Sequence, residues 1–330
     1  MSTSTPLGLL LPDLSEKSPV SVAERAEEWG YDAVWVSELW GTDAFVQLTE
    51  LATRTERIDL GTAIVNVFSR SPAVIAMAAA SVDRLAPGRV TLGVGASTPK
   101  AIEDLHGMEY DNPVRRIHET VELVKSYLSD ADAVDYEGKL FDTADFPGLD
   151  AEIPVFNAAL GPANRRATGR VCDGWIPHNI PFETLDDAFE VVADAARERG
   201  RDPEETAVAP YVPAAVSDDQ TEAYDAVRGH LAYYVGSGEG YRRAVATAFP
   251  DEADRVAEAW RNGDRAAASD AVTDEMVRAL GVAGTPDEAT EQLETILDLE
   301  LLDRPMLTVP RQADDDLTLE TIEALAPENR

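Results

Sequence analysis

From Leu7 to Arg311 the sequence changes its hydrophobic period repeatedly, and that rhythm restricts the fold more than any single motif. Eight short apolar runs read as strands: "LGLLLP", "YDAVWVSE", "IDLGTAIV", "RVTLGVGA", "IPVFNAAL", "DGWIPHN", "TAVAPYVPAAVS" and "PMLTVPR". Each is followed by a stretch with helical periodicity, several opened by a cap and a proline, as in Ser18-Pro19, Ser71-Pro72 and Thr285-Pro286. Near-continuous apolar strands separated by helices are expected of parallel sheets covered on their faces, and eight such units predict a (β/α)8 TIM barrel. A doubly wound sheet would call for a glycine fingerprint after the first strand, and "LGLLLPDLS" carries none. The reading is of one barrel domain over residues 1–330. It has an irregular excursion from Ala131 to Ile153, with a hairpin around Glu137-Gly138-Lys139, and a helical insertion at 236–280 between strands seven and eight.

The 330 residues carry a net charge of −34, with only four lysines, Lys17, Lys100, Lys125 and Lys139. Acidic residues occur along the whole chain, not in one tail. That pattern points to a surface adapted to very high salt, where charge repulsion is screened, and it disfavours nucleic-acid binding, which needs clustered cations. One cysteine, Cys172, excludes an intramolecular disulfide, and the four histidines, His106, His118, His178 and His230, have no metal-ligand spacing. No signal peptide or 18-residue apolar run is visible, so a cytoplasmic location away from membranes is expected.

In a barrel, reactive groups belong at the carboxyl ends of the strands. Among these junctions only Glu38, and Asp13 just past strand one, are acidic, and no Ser-His-Asp set or phosphate loop is present. Ala63, Gly93, Gly95, Ala96, Ala158, Ala159 and Gly161 predict an open, mostly apolar mouth for a large flat cofactor that brings its own reactivity. Gly161 and Pro162 start a helix whose free N–H groups either hold a phosphate or simply begin a helix. The glycines of "GVGAST" are equally open to both readings. Asn66 either satisfies loop backbone groups or reaches the cofactor. Glu38 either caps the next helix or takes part in cofactor binding or proton transfer. His178 is either a satisfied rim histidine or a general acid.

Three stretches together, "YDAVWVSELWGTDAF", "LGTAIVNVFSRSPAVIAMAAASVDRLAPGRVTLGVGAS" and "IPVFNAALGPANRRATGRVCDGWIP", resemble the bacterial-luciferase-like superfamily of flavin- or coenzyme F420-dependent oxidoreductases, and "GTPDEATEQL" adds to the likeness. Within it, "SELWGTDAF", "RSPA", "GVGAS" and "AALGP" are similar to the F420-dependent branch and, more distantly, to methylenetetrahydromethanopterin reductase. The resemblance implies a barrel, a homodimer or higher homo-oligomer, and a deazaflavin in the mouth that exchanges hydride with a small organic substrate. It further implies a non-prolyl cis peptide at Ala63–Ile64. Glu38 and Trp40 would line the substrate side, Ala63, Ile64, Val65 and Asn66 the back of the ring, and His178 a proton path. Gly95, Ala96, Ser97, Ala159, Leu160, Gly161, Pro162 and Asn164 would follow the ring and its ribityl-phosphate chain, with no metal involved. The family's frequent histidine after strand two falls at Leu39, while the pterin reductases' glutamate in strand one falls near Leu10, their glutamine after strand five at Leu160, and their acidic residue after strand four has no counterpart in "GASTPK". Three alternatives therefore stay open: a methylene-tetrahydropterin or tetrahydrofolate reductase, an FMN-dependent monooxygenase, and a non-catalytic deazaflavin-binding protein.

Overall fold

The computed structural model describes residues 5–15 and 17–330. Its strands are β1 (Gly8–Leu10), β2 (Ala33–Val36), β3 (Asp59–Thr62), β4 (Val65–Asn66), β5 (Val90–Gly95), β6 (Val134–Glu137), β7 (Asp142–Phe146), β8 (Val155–Ala158), β9 (Gly174–Ile176), β10 (Ala207–Val208), β11 (Tyr211–Val216), β12 (Val282–Gly284) and β13 (Met306–Thr308). The helices used below are α1 (Pro19–Glu28), α2 (Ala44–Arg54), α3 (Pro72–Asp83), α4 (Pro113–Leu128), α5 (Pro162–Val171), α6 (Leu185–Arg197), α7 (Gln220–Ser237), α8 (Glu239–Val245), α9 (Pro250–Arg261), α10 (Arg265–Asp270), α11 (Asp274–Leu280), α12 (Pro286–Leu297) and α13 (Asp315–Ala324). All eight strands read from the sequence are present, and each leads into a helix, the arrangement of a (β/α)8 barrel. Among the described residues no helix is long and apolar enough to cross a membrane.

Two differences from the reading have local causes. "IDLGTAIV" is not one strand, for β3 stops at Thr62 and a separate β4 begins at Val65. The apolar "VAG" after α11 forms the unanticipated strand β12, too short to show a period.

The chain divides into two compact units. In the unit made of Ala33–Ile176 and Val191–Ala207, parallel pairings run in the order β2, β3, β5, β8, β9. Their side chains alternate large and absent. A methyl group on Gly61 would lie 2.3 Å from the Trp35 ring, and one on Gly174 would lie 2.5 Å from the Phe156 ring. These glycines therefore make room for two of the interior rings, Trp35 and Phe156, which are 1% and 3% exposed. The hairpin β6–β7 is antiparallel, and its turn is held by Glu119 of α4, whose carboxylate accepts the N–H groups of Lys139, Leu140 and Phe141.

In the other unit, which includes Pro177–Glu190 and Val208–Arg330, β1 pairs with β13, β13 with β11, and β11 with β12, all parallel. The helix-rich span is no loose appendage. Val227 and Leu231 of α7, Val256 of α9 and Met276 of α11 share one buried cluster with Ala215 of β11 and Ala283 of β12.

The tightest backbone approach in the first unit is between β3 and β5. Thr62 Oγ1 donates to the Gly93 carbonyl (2.7 Å) and accepts the Gly93 N–H (2.8 Å), while a Cβ on Gly93 would sit 1.9 Å from the Thr62 carbonyl oxygen. That oxygen is backbone and has nowhere to go. Gly93→Ala is expected to cost more than about 3 kcal/mol, above the usual range for overpacking, or to abolish folding, as read by chemical denaturation.

Candidate active site

The strand ends of the first unit collect every predicted site residue except His178. Leaving β3, the chain makes a cis peptide bond at Ala63–Ile64, the position the resemblance implies. The Ala63 N–H donates to the Val36 carbonyl (2.7 Å), the Ile64 carbonyl accepts from the Glu38 N–H (3.3 Å), and the Val67 N–H donates to the Gly95 carbonyl (3.1 Å). The turn is thus stitched to β2 on one side and to β5 on the other. Gly95 is not an opening for a ligand: a Cβ there would lie 2.9 Å from Ile64 Cδ1, so its missing side chain makes room for Ile64, as that of Gly93 does for Thr62. Two of the small residues read as lining an open mouth are in fact filled by the neighbouring turn.

Asn66 is 3% exposed, and both its oxygen and its nitrogen are engaged. Its Oδ1 accepts the N–H groups of Phe68 (3.0 Å) and Ser69 (2.8 Å), and its Nδ2 lies 3.2 Å from His106 Nε2. Of its two readings, the one that holds the loop is realised. Val65 is buried beside it in β4, paired with Val94. Past β5, Ala96 and Ser97 are half-buried, and Ser97 takes a left-handed conformation (φ 57°), with its carbonyl accepting from the Tyr110 hydroxyl (3.4 Å).

Glu38 is likewise committed. Arg70 grips it with two bonds, to Oε1 at 2.6 Å and Oε2 at 2.8 Å, and Oε2 also accepts the Ala44 N–H at 3.0 Å, at the start of α2. Arg70 bonds Asp43, the N-cap of α2, as well. The bonds to Glu38, ahead of those to Asp43, hold the guanidinium pKa above its ordinary value against the burial that lowers it. This clamp fixes the loop that carries Leu39 and Trp40, both exposed, at 36% and 46%. The Arg70 partnership was absent from the sequence reading, although "RSPA" stood out as a family mark; nothing in residue spacing pairs position 38 with position 70.

After β8, three consecutive carbonyls are each met by a side-chain donor: Ala158 by Asn164 Nδ2 (3.3 Å), Ala159 by Trp175 Nε1 (2.8 Å) and Leu160 by Arg165 Nε (2.9 Å). Asn164 Oδ1 accepts in turn from the fully buried Asn157 (3.2 Å). These bonds fix the approach to α5, whose N-cap, Gly161, has no side chain to cap the helix. The N–H groups of Gly161 and Ala163 have no partner among the described residues, Pro162 has none to offer, and a Cβ on Gly161 would meet nothing within 4 Å. The amino end of α5 is therefore an unobstructed anion seat. It fits the phosphate of a ribityl-phosphate cofactor.

His178 lies in the other unit, where it is 8% exposed inside an aromatic box. Ring centroids of Tyr234, Tyr211, Tyr241 and His230 lie 4.3, 4.4, 5.4 and 5.7 Å away. Nε2 of His178, Nε2 of His230 and both side-chain polar atoms of Asn179 have no hydrogen-bond partner among the described residues. Burial, then the neighbouring His230, depresses the His178 pKa well below the ordinary imidazole value, and burial lowers His230 to about 4. In both rings burial favours the neutral form. Leu10 and Leu160, at or near two positions that are polar in the pterin reductases, are half-buried.

Two outcomes test this account. Arg70→Ala strands Glu38, whose side chain is 10% exposed, and is expected to lower stability by about 2–3 kcal/mol, whereas Glu38→Gln, whose single amide oxygen can keep the two contacts now made to Oε2 while Arg70 keeps Asp43, should lose less. Urea melts of the two variants measure the order. His230 in the unfolded chain titrates near 6.5 and in the folded chain at about 4, so its contribution is complete above 6.5 and is lost as pH falls from 6.5 towards 4. His230→Phe should remove up to about 3 kcal/mol of the difference in unfolding free energy between pH 7.5 and 4.5.

With the geometry in place, comparison with known proteins gives the lineage. A coenzyme F420-dependent oxidoreductase, by its name, from Mycobacterium tuberculosis is 29% identical over 328 residues, spanning 89% of this chain and 92% of that one. The 5,10-methylenetetrahydromethanopterin reductase of Methanolobus tindarius is 27% identical, with 84% of this chain and 86% of that one covered. The solved coenzyme F420-dependent tetrahydromethanopterin reductase of Methanopyrus kandleri shares the fold, with a TM-score of 0.81, 24% identity, and 99% and 98% of the two chains covered. The model of the luciferase-like monooxygenase family matches residues 15–300, and the chain belongs to that family.

Proposed function

We propose that the protein is a coenzyme F420-dependent oxidoreductase that moves a hydride between the deazaflavin and a small organic substrate. The observation that carries the reading is the open, uncapped amino end of α5, built for a phosphate and approached by a loop whose carbonyls are all tied back. That seat suits any ribityl-phosphate cofactor, and the names of the M. tuberculosis and M. tindarius relatives point to F420 among them. When bound, the deazaflavin supplies a hydride donor or acceptor at its central ring carbon and reacts poorly with oxygen.

The protein's own share is to bind and orient. Gly161 and Ala163 offer N–H donors to the phosphate, and Asn164 keeps the loop in place. The turn from Ala63 to Asn66, held rigidly by its bonds to β2 and β5, supports one face of the ring. Trp40, exposed on the loop fixed by the Glu38–Arg70 clamp, faces the substrate side. In this role Glu38 positions Trp40 and moves no proton. The apolar Leu10 and Leu160 argue against a pterin substrate, for they remove polar groups that the pterin reductases carry at or near those positions.

Titration of the purified protein with F420 and with FMN separates this reading from a flavin monooxygenase. Micromolar binding of F420 and none of FMN is expected; the reverse would overturn it. Gly161→Asp supplies a sharper check, because φ −78° and ψ 152° accept any residue and an aspartate there caps α5. The variant should be as stable as the parent, or more stable by about 1 kcal/mol, and should lose F420 binding by charge repulsion at the phosphate.

A further inference from the structure

In the unit that includes Pro177–Glu190 and Val208–Arg330, five buried side-chain atoms have no hydrogen-bond partner among the described residues, and four of them belong to His178 (Nε2), Asn179 (Oδ1 and Nδ2) and His230 (Nε2). These three residues are 8%, 3% and 4% exposed. Elsewhere in the same unit buried polar groups are answered. The Tyr31 hydroxyl donates to the Ile322 carbonyl at 2.8 Å, and Thr321 Oγ1 donates to the Leu317 carbonyl at 2.7 Å while accepting the Val216 N–H at 2.9 Å. An unanswered buried polar group costs stability, so four of them gathered on three residues point to an occupant that answers them.

The walls around these groups are rings. Besides the contacts of His178, the centroid of Tyr234 lies 4.9 Å from that of His230 and 4.9 Å from that of Tyr241. Tyr241, on α8, packs back against Gly238, where a Cβ would lie 2.6 Å from its Cδ2. Tyr211, Tyr234 and Tyr241 are half-buried, so the walls reach the surface. Burial is the first cause that raises the pKa of these three tyrosines and lowers those of both histidines, and where a second cause follows it is a neighbouring ring. Arg311 opposes the shift at Tyr234. Opposite shifts in acids and bases from one cause mark a place that disfavours charge of either sign.

The open groups decide what fits. An amide offers two N–H donors and one carbonyl acceptor, and the Nε2 of a neutral imidazole donates or accepts according to its tautomer. A carbonyl oxygen accepts and a hydroxyl does both, and neither brings a charge into the box. A carboxylate, phosphate or ammonium would lose its hydration there with no opposite charge among these residues to replace it. We infer that His178, Asn179 and His230 form the polar part of a binding site for an uncharged organic molecule, which they hold by a carbonyl or hydroxyl oxygen while its carbon body lies against Tyr211, Tyr234 and Tyr241. Carbonyl and hydroxyl are also the two ends of a hydride transfer, so the substrate of the proposed reaction and a separate ligand share this chemistry. The site itself does not depend on the F420 reading.

The test is a ligand-observed NMR titration of the full chain, without cofactor, using cyclohexanone, cyclohexanol, cyclohexanecarboxylate and cyclohexylammonium, which share a ring and differ in the head group. The proteins are the parent, His230→Phe, which keeps a ring in the wall, and Asn179→Gly, which suits the left-handed backbone at that residue (φ 54°). Thermal melts confirm that both variants fold, and His230→Phe should melt no lower than the parent near pH 7, because it removes an unanswered buried nitrogen. The two uncharged probes should bind the parent with a Kd of about 1 mM or tighter, compete with each other, and bind each variant about 2- to 12-fold more weakly, the share of one neutral hydrogen bond. The charged probes should bind the parent at least about tenfold more weakly than the uncharged ones. If neither uncharged probe binds the parent, water answers the four atoms and the inference is wrong. It is equally overturned if a charged probe binds the parent as well as the uncharged ones do, or if both variants bind the uncharged probes as the parent does. Loading the parent with oxidised F420 separates the two sources of such a ligand. Transfer of hydride from the carbinol carbon of cyclohexanol to the deazaflavin, with release of the hydroxyl proton, bleaches F420, leaves cyclohexanone and makes the occupant the substrate; binding without bleaching makes it a separate ligand, and both uphold the site. Failure to bind F420 overturns the F420 reading alone.

Discussion

The interlock between Thr62 and Gly93 is the constraint on which the strand ends of this unit depend. One hydroxyl satisfies both backbone groups of Gly93, and the missing Cβ lets the Thr62 carbonyl come to where a side chain would be. With β3 drawn so close to β5, the chain leaves the sheet after Thr62, turns at Ala63–Ile64, and resumes on the same partner as β4. Each later residue of the segment then has one available task. Ile64 fills the space over Gly95, Asn66 ties down the next two N–H groups, and Arg70 reaches back to Glu38. Four side chains spaced along one short segment convert a close contact between two strands into a fixed loop at the end of a third.

Charge follows the same logic of commitment. In a chain with so large an excess of carboxylates, an arginine is expected to be saturated, as Arg70 and Arg242 are. Arg115 and Arg199 stay loose because the acids near them are otherwise engaged: Glu119 holds the β6–β7 turn, and Glu122 accepts from the Tyr136 hydroxyl at 2.7 Å. The hairpin excursion therefore decides how Arg115 is paired. Ordering residues 139–141 consumes the carboxylate that would otherwise neutralise Arg115.

The fold was legible because it is written in period and punctuation, both local. Ser71-Pro72 and Thr285-Pro286 cap and open helices as read, and the apolar runs from "LGLLLP" to "PMLTVPR" are strands. The candidate site was legible only in part, since its important pairs are far apart in sequence. Asn66 could be narrowed to two uses, but its choice depends on Phe68, Ser69 and His106 meeting it in space. Gly93 and Gly95 were read as open space because sequence shows that a side chain is absent and not what takes its place. His178 kept two readings because its burial is set by Tyr211, His230, Tyr234 and Tyr241, all contributed by later segments.

The choice between flavin and deazaflavin is a further step of the same kind. On the proposed reading both cofactors carry a phosphate on the ribityl chain, so the amino end of α5 would serve either, and the turn from Ala63 to Asn66 would offer the ring backbone and apolar side chains that are indifferent to one ring atom.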